Sequence, residues 1–108
     1  MADGTCGQVT GARLIVEALE RNGVERIFCV PGESYLTVLD ALYDETRIDV
    51  VTCRHESGAG FMAVSDAKLT GRPGVAMVSR GPGATNASIA VHTAQQDATP
   101  FLLFVGQI

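Results

Sequence analysis

The chain has 108 residues, 46% of them hydrophobic, enough to bury one modest core and so to form one domain or part of one. Eight Lys+Arg stand against twelve Asp+Glu, the formal net charge is -4 and the pI about 4.9, and the absence of a basic cluster argues against a nucleic-acid partner. No segment approaches the ~18 apolar residues of a membrane span, "MADGTCGQVT" lacks a leader's charged and apolar regions, and the odd set Cys6, Cys29 and Cys53, without a CxxC pair, suits a reducing compartment, so a cytoplasmic protein is expected.

Thr10 is placed to N-cap a helix over roughly 11–22, in which Ala12, Ile15, Val16 and Leu19 recur at helical spacing before the Asn22-Gly23 stop. "RIFCV" (26–30) is a short β-branched and aromatic run ended by Pro31-Gly32. Leu36, Leu39, Leu42 and Tyr43 then mark a second helix, for which Ser34 is the expected cap. The pattern repeats: "IDVVTC" (48–53) precedes a helix from about 55 to 69, which "TGRPG" breaks ahead of the strand "GVAMVS" (74–79). "RGPGATN" leads into a fourth helix over 84–95, and "FLLFVG" forms a last strand after Pro100.

Helix and strand alternate throughout, and each strand is a near-continuous apolar run. The expected fold is therefore α/β, a parallel sheet covered on both faces by helices. The chain ends at "FVGQI", on a strand that should be buried, with no helix after it to cover it. Doubly wound sheets usually carry more strands than four, so the expectation is a single domain over 1–108 that is incomplete at its C-terminus.

Ligands of open parallel sheets sit beyond the carboxyl ends of the strands, which singles out Pro31-Gly32-Glu33, Arg54-His55-Glu56 and Gly81-Pro82-Gly83. "GPGATN" (81–86) is a near miss to the dinucleotide fingerprint, with Asn86 at the third glycine position. No acidic residue follows at the end of the next strand, "FLLFVGQI", so a nicotinamide site is discounted. The glycines could equally serve only a tight strand-to-helix turn.

Glu56 also admits two readings. A first-turn glutamate is favoured by the positive end of the helix dipole, and Arg54 is at hand to pair with it. The functional reading wants its carboxyl group in an apolar cleft beside Gly58, Ala59, Gly60 and Ala63, where burial favours the protonated form that can share a proton with a ligand nitrogen. His55 is a candidate base, or a hydrogen-bonded structural wall of the site. Metal binding is not expected, since no second ligand stands at metal spacing from His55 and His92 falls on another helix. "HESGA" does not make Ser57 a nucleophile elbow.

Taken together, "FCVPGE", "RHESGAGFMA", "KLTGRPGVAMVSRGPGATN" and "TAQQDATPFLLFVGQ" resemble, in order and approximate spacing, the N-terminal pyrimidine-binding domain of thiamine-diphosphate-dependent enzymes of the acetolactate synthase and decarboxylase group. The resemblance spans nearly the whole chain. It implies that Glu56 is the carboxyl group that hydrogen-bonds N1' of the cofactor's aminopyrimidine, favouring the imino tautomer whose N4' deprotonates the thiazolium C2 for attack on a 2-keto acid. It further implies that Pro31, Gly32, Gly81, Pro82, Gly83 and Asn86 lie near the pyrimidine, with His55, Glu33 and Gln107 as neighbours of the substrate site.

Two positions depart from the family's pattern. Acetolactate synthases commonly carry a second glycine after Pro-Gly where this chain has Glu33, which adds bulk and charge near the active centre. Where the family tends to read "MADGYAR", Met62 to Lys68 read "MAVSDAK", a change expected at a subunit contact. The diphosphate and its Mg2+ are held, in the family, by a separate domain with a Gly-Asp-Gly start and a downstream Asn, a motif that these 108 residues lack; FAD is optional, with contacts in domains absent from this sequence. The active site forms between that domain and a pyrimidine domain of another subunit, so the implied partner is a second copy in a homodimer or a complementary diphosphate-binding subunit. Alone, the chain is not expected to hold cofactor tightly or turn over substrate. The competing readings are an inactive remnant that only dimerises through apolar sheet edges, and a nucleotide-binding oxidoreductase domain resting on the glycines alone.

Overall fold

The computed structural model describes residues 7–45 and 47–108, and Cys6 lies outside them. The first helix, α1 (Gly11–Arg21), starts where Thr10 Oγ1 accepts the Arg13 N–H at 3.1 Å and ends at Asn22, as the capping pattern predicts. It is followed by β1 (Arg26–Cys29), a 3-10 turn (Glu33–Tyr35), α2 (Leu36–Tyr43), β2 (Asp49–Thr52), α3 (Glu56–Thr70), β3 (Gly74–Val78), α4 (Pro82–Gln96) and β4 (Phe101–Val105).

The first three strands are a residue or two shorter than the apolar runs that mark them, and two helix starts differ from expectation. Ser34 does not cap α2: it sits inside the 3-10 turn, Tyr35 precedes the α-helix without a side-chain cap, and the Ser34 hydroxyl is buried with no hydrogen-bond partner. The chain is still extended at Gly32 and tightens directly into 3-10 geometry, so the turn takes the place of the cap. The fourth helix begins at Pro82 rather than 84, because proline at the first helical position lacks only an N–H that would be unpaired there anyway.

The four strands form one all-parallel sheet in the order β2-β1-β3-β4. Side chains alternate between two cores. Ile27, Cys29, Val75 and Met77 face α1 and α2, packing on Val16, Leu19 and Leu42, while Phe28 and Ala76 face α3 through Ala59 and Ala63. Central β3 is wholly buried, whereas the edge strands leave Val50, Leu102 and Val105 exposed. On the second face, small residues bring α3 against α4: a Cβ on Gly60 would collide with that of Ala90. Both described cysteines, Cys29 and Cys53, are free and buried, and burial pushes both thiols up. Among the described residues no helix is long and apolar enough to cross a membrane.

Candidate functional site

Parallel strands deliver their carboxyl ends to one edge, so the three turns singled out in the sequence converge there. The chain steps from β1 outward to β2 and then crosses back to β3 on the other side of β1. The strand order therefore reverses between β1 and β3, and the crevice beyond their ends is where such sheets bind ligands. Two bonds extend the ladders into this edge. Cys53 N donates to Cys29 O at 2.7 Å, and Gly106 N donates to Val78 O at 2.9 Å. The first aims Arg54-His55-Glu56 at the edge; the second draws Gln107 alongside Ser79 and Arg80.

At the crevice lies an open cleft of about 540 Å³ lined by Gly32, Glu33, Ser79, Arg80, Gly81, Pro82 and Gln107. Its floor is shaped by close backbone approach. A Cβ on Gly32 would stand 3.0 Å from Ser79 Cβ, and one on Gly83 would stand 2.8 Å from Ser79 Oγ and 3.4 Å from Glu56 Oε2. Gly81, which precedes α4, adopts φ 61°, a backbone conformation that side chains disfavour. The glycines of "GPG" are thus tied to two separate demands, a left-handed turn at Gly81 and open space beside a carboxylate at Gly83.

Glu56 is the first residue of α3, half-buried. Asn86 Nδ2, one turn into α4, donates to Glu56 Oε1 at 3.0 Å, leaving Oε2 facing the space that Gly83 keeps clear. Arg54 makes no ion pair with it among the described residues. The carboxylate also reaches Tyr35 electrostatically: burial pushes the phenol up, and Cys29 and then Glu56 add to the push. The Tyr35 hydroxyl donates to the carbonyls of Val30 and, at 3.3 Å, Met77, tying the end of β1 to β3 beneath the crevice.

The structure groups the sequence-predicted residues unevenly. Glu56, Gly83 and Asn86 meet directly, Ser79 links Gly83 to Gly32, and Glu33, Gly81, Pro82 and Gln107 line the adjoining cleft. Pro31 is exposed and outside the cleft lining. His55 turns back on its own helix: as N-cap of α3 its Nδ1 accepts the Ser57 N–H at 3.1 Å and lies 2.8 Å from Ser57 Oγ. Sequence reasoning missed Ser79, Arg80 and Tyr35. For the first two a signal existed, since they directly follow β3, just ahead of the "GPG" turn.

One carboxylate oxygen is held by an amide donor, and the other borders Gly83, where the lack of a side chain leaves it without a covering group.

The family described as "Thiamine pyrophosphate enzyme, N-terminal TPP binding domain" matches residues 9–108. Among individual proteins, the chain is 46% identical over 101 residues to an acetolactate synthase of Mycobacterium avium, covering 94% of this chain and 16% of that protein. It is 43% identical over 99 residues to the mitochondrial acetolactate synthase catalytic subunit of Aspergillus candidus (92% of this chain, 14% of that protein). The acetolactate synthase isozyme 1 large subunit of Escherichia coli also matches at 43% over 99 residues (92% and 18%). The chain spans less than a fifth of the length of these curated relatives. With a match running from the cap of α1 to the last residue, the chain belongs to the thiamine pyrophosphate enzyme family, as its N-terminal TPP-binding domain.

Proposed function

We propose that the chain is the pyrimidine-binding part of a thiamine-diphosphate-dependent enzyme acting on 2-keto acids, by acetolactate-synthase-like carboligation or by decarboxylation, with transferase or lyase chemistry. The observation that carries this reading is the Glu56 carboxylate at the switch-point edge, with Asn86 on one oxygen and the Gly83 gap beside the other. When bound, thiamine diphosphate would supply carbon nucleophile chemistry toward a keto carbonyl. The part of Glu56 is to hold a proton at Oε2 against the ring nitrogen of the aminopyrimidine. Asn86 fixes the carboxylate plane, Gly83 admits the ring, and Gly32 and Gly81 keep backbone close to it. Tyr35 holds the β1 and β3 ends at a fixed spacing.

The diphosphate and Mg2+ are assigned to another domain or a complementary subunit, because the chain covers under a fifth of its relatives; the same holds for any FAD. The buried free thiols suit a reducing compartment, and we read the setting as cytoplasmic, although the Aspergillus relative is named as mitochondrial. A homodimeric or complementing partner is supported by the apolar side chains left exposed, among them Leu69 on α3 and Leu102 on β4. Those same side chains favour the second reading, a catalytically inactive dimerisation module of this fold.

The test is Glu56→Gln in the protein assembled with its diphosphate-binding domain or subunit. Activity falls by about 10²–10⁴-fold, the scale of a lost proton-transfer group. Near-normal turnover rejects the catalytic assignment, and no turnover in the assembled wild type supports the inactive module.

A further inference from the structure

The cleft at the switch point contains two charges for which holding a pyrimidine has no use. Glu33, from the turn after β1, and Arg80, from the turn after β3, face each other across it with Oε1 and Nη2 3.9 Å apart. This is the longest ion pair among the described residues. Arg26–Asp66, Arg47–Glu20 and Lys68–Asp97 each close to 2.6 Å, inside the range of about 2.7–2.9 Å or less typical of charge-assisted bonds. The Glu33 side chain is 82% exposed and that of Arg80 39%, so solvent screens what attraction remains.

Neither group is saturated. A guanidinium has five donors in a fixed fork and a carboxylate about four acceptor sites, and no other hydrogen bond to either side chain is present among the described residues. Ser79 and Gln107 complete the polar wall. The cleft adjoins the candidate catalytic carboxylate through Ser79, which lines it and whose Oγ, like Glu56 Oε2, lies beside Gly83.

Resting on the reading above, we propose that Glu33 and Arg80 form a specificity pair that selects a 2-keto acid bearing a hydroxyl group. The planar fork of Arg80 receives the substrate carboxylate, which displaces the loosely held Glu33. Glu33, once released, accepts a hydrogen bond from the substrate hydroxyl. An aliphatic 2-keto acid takes the same guanidinium but makes no bond to the Glu33 carboxylate, which stays in water. The discrimination is therefore that of one hydrogen bond to an exposed acceptor, about three- to tenfold.

The experiment uses the 108-residue chain, 15N-labelled, titrated separately with hydroxypyruvate and pyruvate. Hydroxypyruvate binds about three- to tenfold more tightly, with both acids shifting the amides of Glu33, Arg80 and Gln107. Glu33→Gln removes the preference while pyruvate still binds, and Arg80→Gln weakens both. The same spectra show whether each variant is folded, and the exposure of Glu33 makes its replacement benign. Equal binding in the native chain, a preference that Glu33→Gln leaves unchanged, or no binding of either acid overturns the pair. The Glu56→Gln turnover measurement is a separate readout, so a failed cofactor assignment and a failed specificity pair are told apart.

Discussion

The Asn86 side-chain amide on α4 donates to the Glu56 carboxylate on α3 at 3.0 Å, so the two helices that flank β3 share one hydrogen bond at the candidate site. Asn86 is exposed, and Asn86→Ala therefore costs little stability, about 1 kcal/mol or less. Its effect falls on the orientation of Glu56. In the assembled enzyme thiamine diphosphate affinity drops about tenfold, the worth of one hydrogen bond to a charged group, and Asn86→Asp is worse because two carboxylates then face each other. Titration calorimetry reads both. Unaltered affinity in Asn86→Asp would show that the bond plays no part in binding.

Gly83 separates function from fold. A Cβ there stands 2.8 Å from Ser79 Oγ and 3.4 Å from Glu56 Oε2, and the serine hydroxyl can rotate away. Alanine also gains about 1 kcal/mol of helix propensity over glycine, so the unfolding midpoint of Gly83→Ala stays near that of the wild type. The methyl group nevertheless occupies the space beside Oε2, and cofactor binding is lost. Equal affinity of the two proteins, measured by calorimetry, means that the ring does not enter beside Gly83.

The α3–α4 contact responds in the opposite way. A methyl group on Gly60 collides with that of Ala90, and overpacking of this kind costs about 1–3 kcal/mol, more than the propensity gained. Gly60→Ala is destabilised in urea unfolding, and adding Ala90→Gly recovers part of the loss. The coupling energy of the double-mutant cycle is expected between about 0.5 and 3 kcal/mol. Strict additivity would mean that the helices part to admit the methyl group.

Much of this was legible from sequence because it is periodic or carried by turn chemistry. Thr10 and Asn22-Gly23 bound α1, the apolar runs mark the strands, and their parallel arrangement sends all three turns to one edge. What was not legible depends on atoms brought together from distant positions. Ser34 has the chemistry of a helix cap, but the backbone at Gly32 enters a 3-10 turn before a cap can form. His55 is not among the common capping residues, yet its ring nitrogen accepts the Ser57 N–H and caps α3. The pairing of Glu33 with Arg80 spans 47 positions and follows from strand order alone. Only β1 and β3 being neighbours brings their turns face to face.

A last prediction concerns the end of α2, remote from the site, where charge is concentrated. Glu45 is almost fully buried, and its Oε1 accepts the Arg47 N–H at 2.8 Å and Arg47 Nε at 3.2 Å, while Arg47 Nη2 lies 2.6 Å from Glu20. The Glu45 carboxyl is held down to about 2, first by a hydrogen bond from Glu20 and then by the Arg47 N–H; sharing that bond pushes Glu20 up. The signs are opposite. Glu45, lowered from its ordinary 4.5, contributes stability that is present above that value and is lost as pH falls toward about 2. Glu20, raised, contributes stability present below 4.5 that is lost as pH rises through its folded value. Denaturant unfolding of the wild type should thus weaken more steeply than that of Glu45→Gln between about pH 4.5 and 2, since glutamine keeps an acceptor for the Arg47 N–H but cannot titrate. Parallel stability curves for the two proteins across that window would mean that Glu45 does not carry the acid sensitivity of the fold.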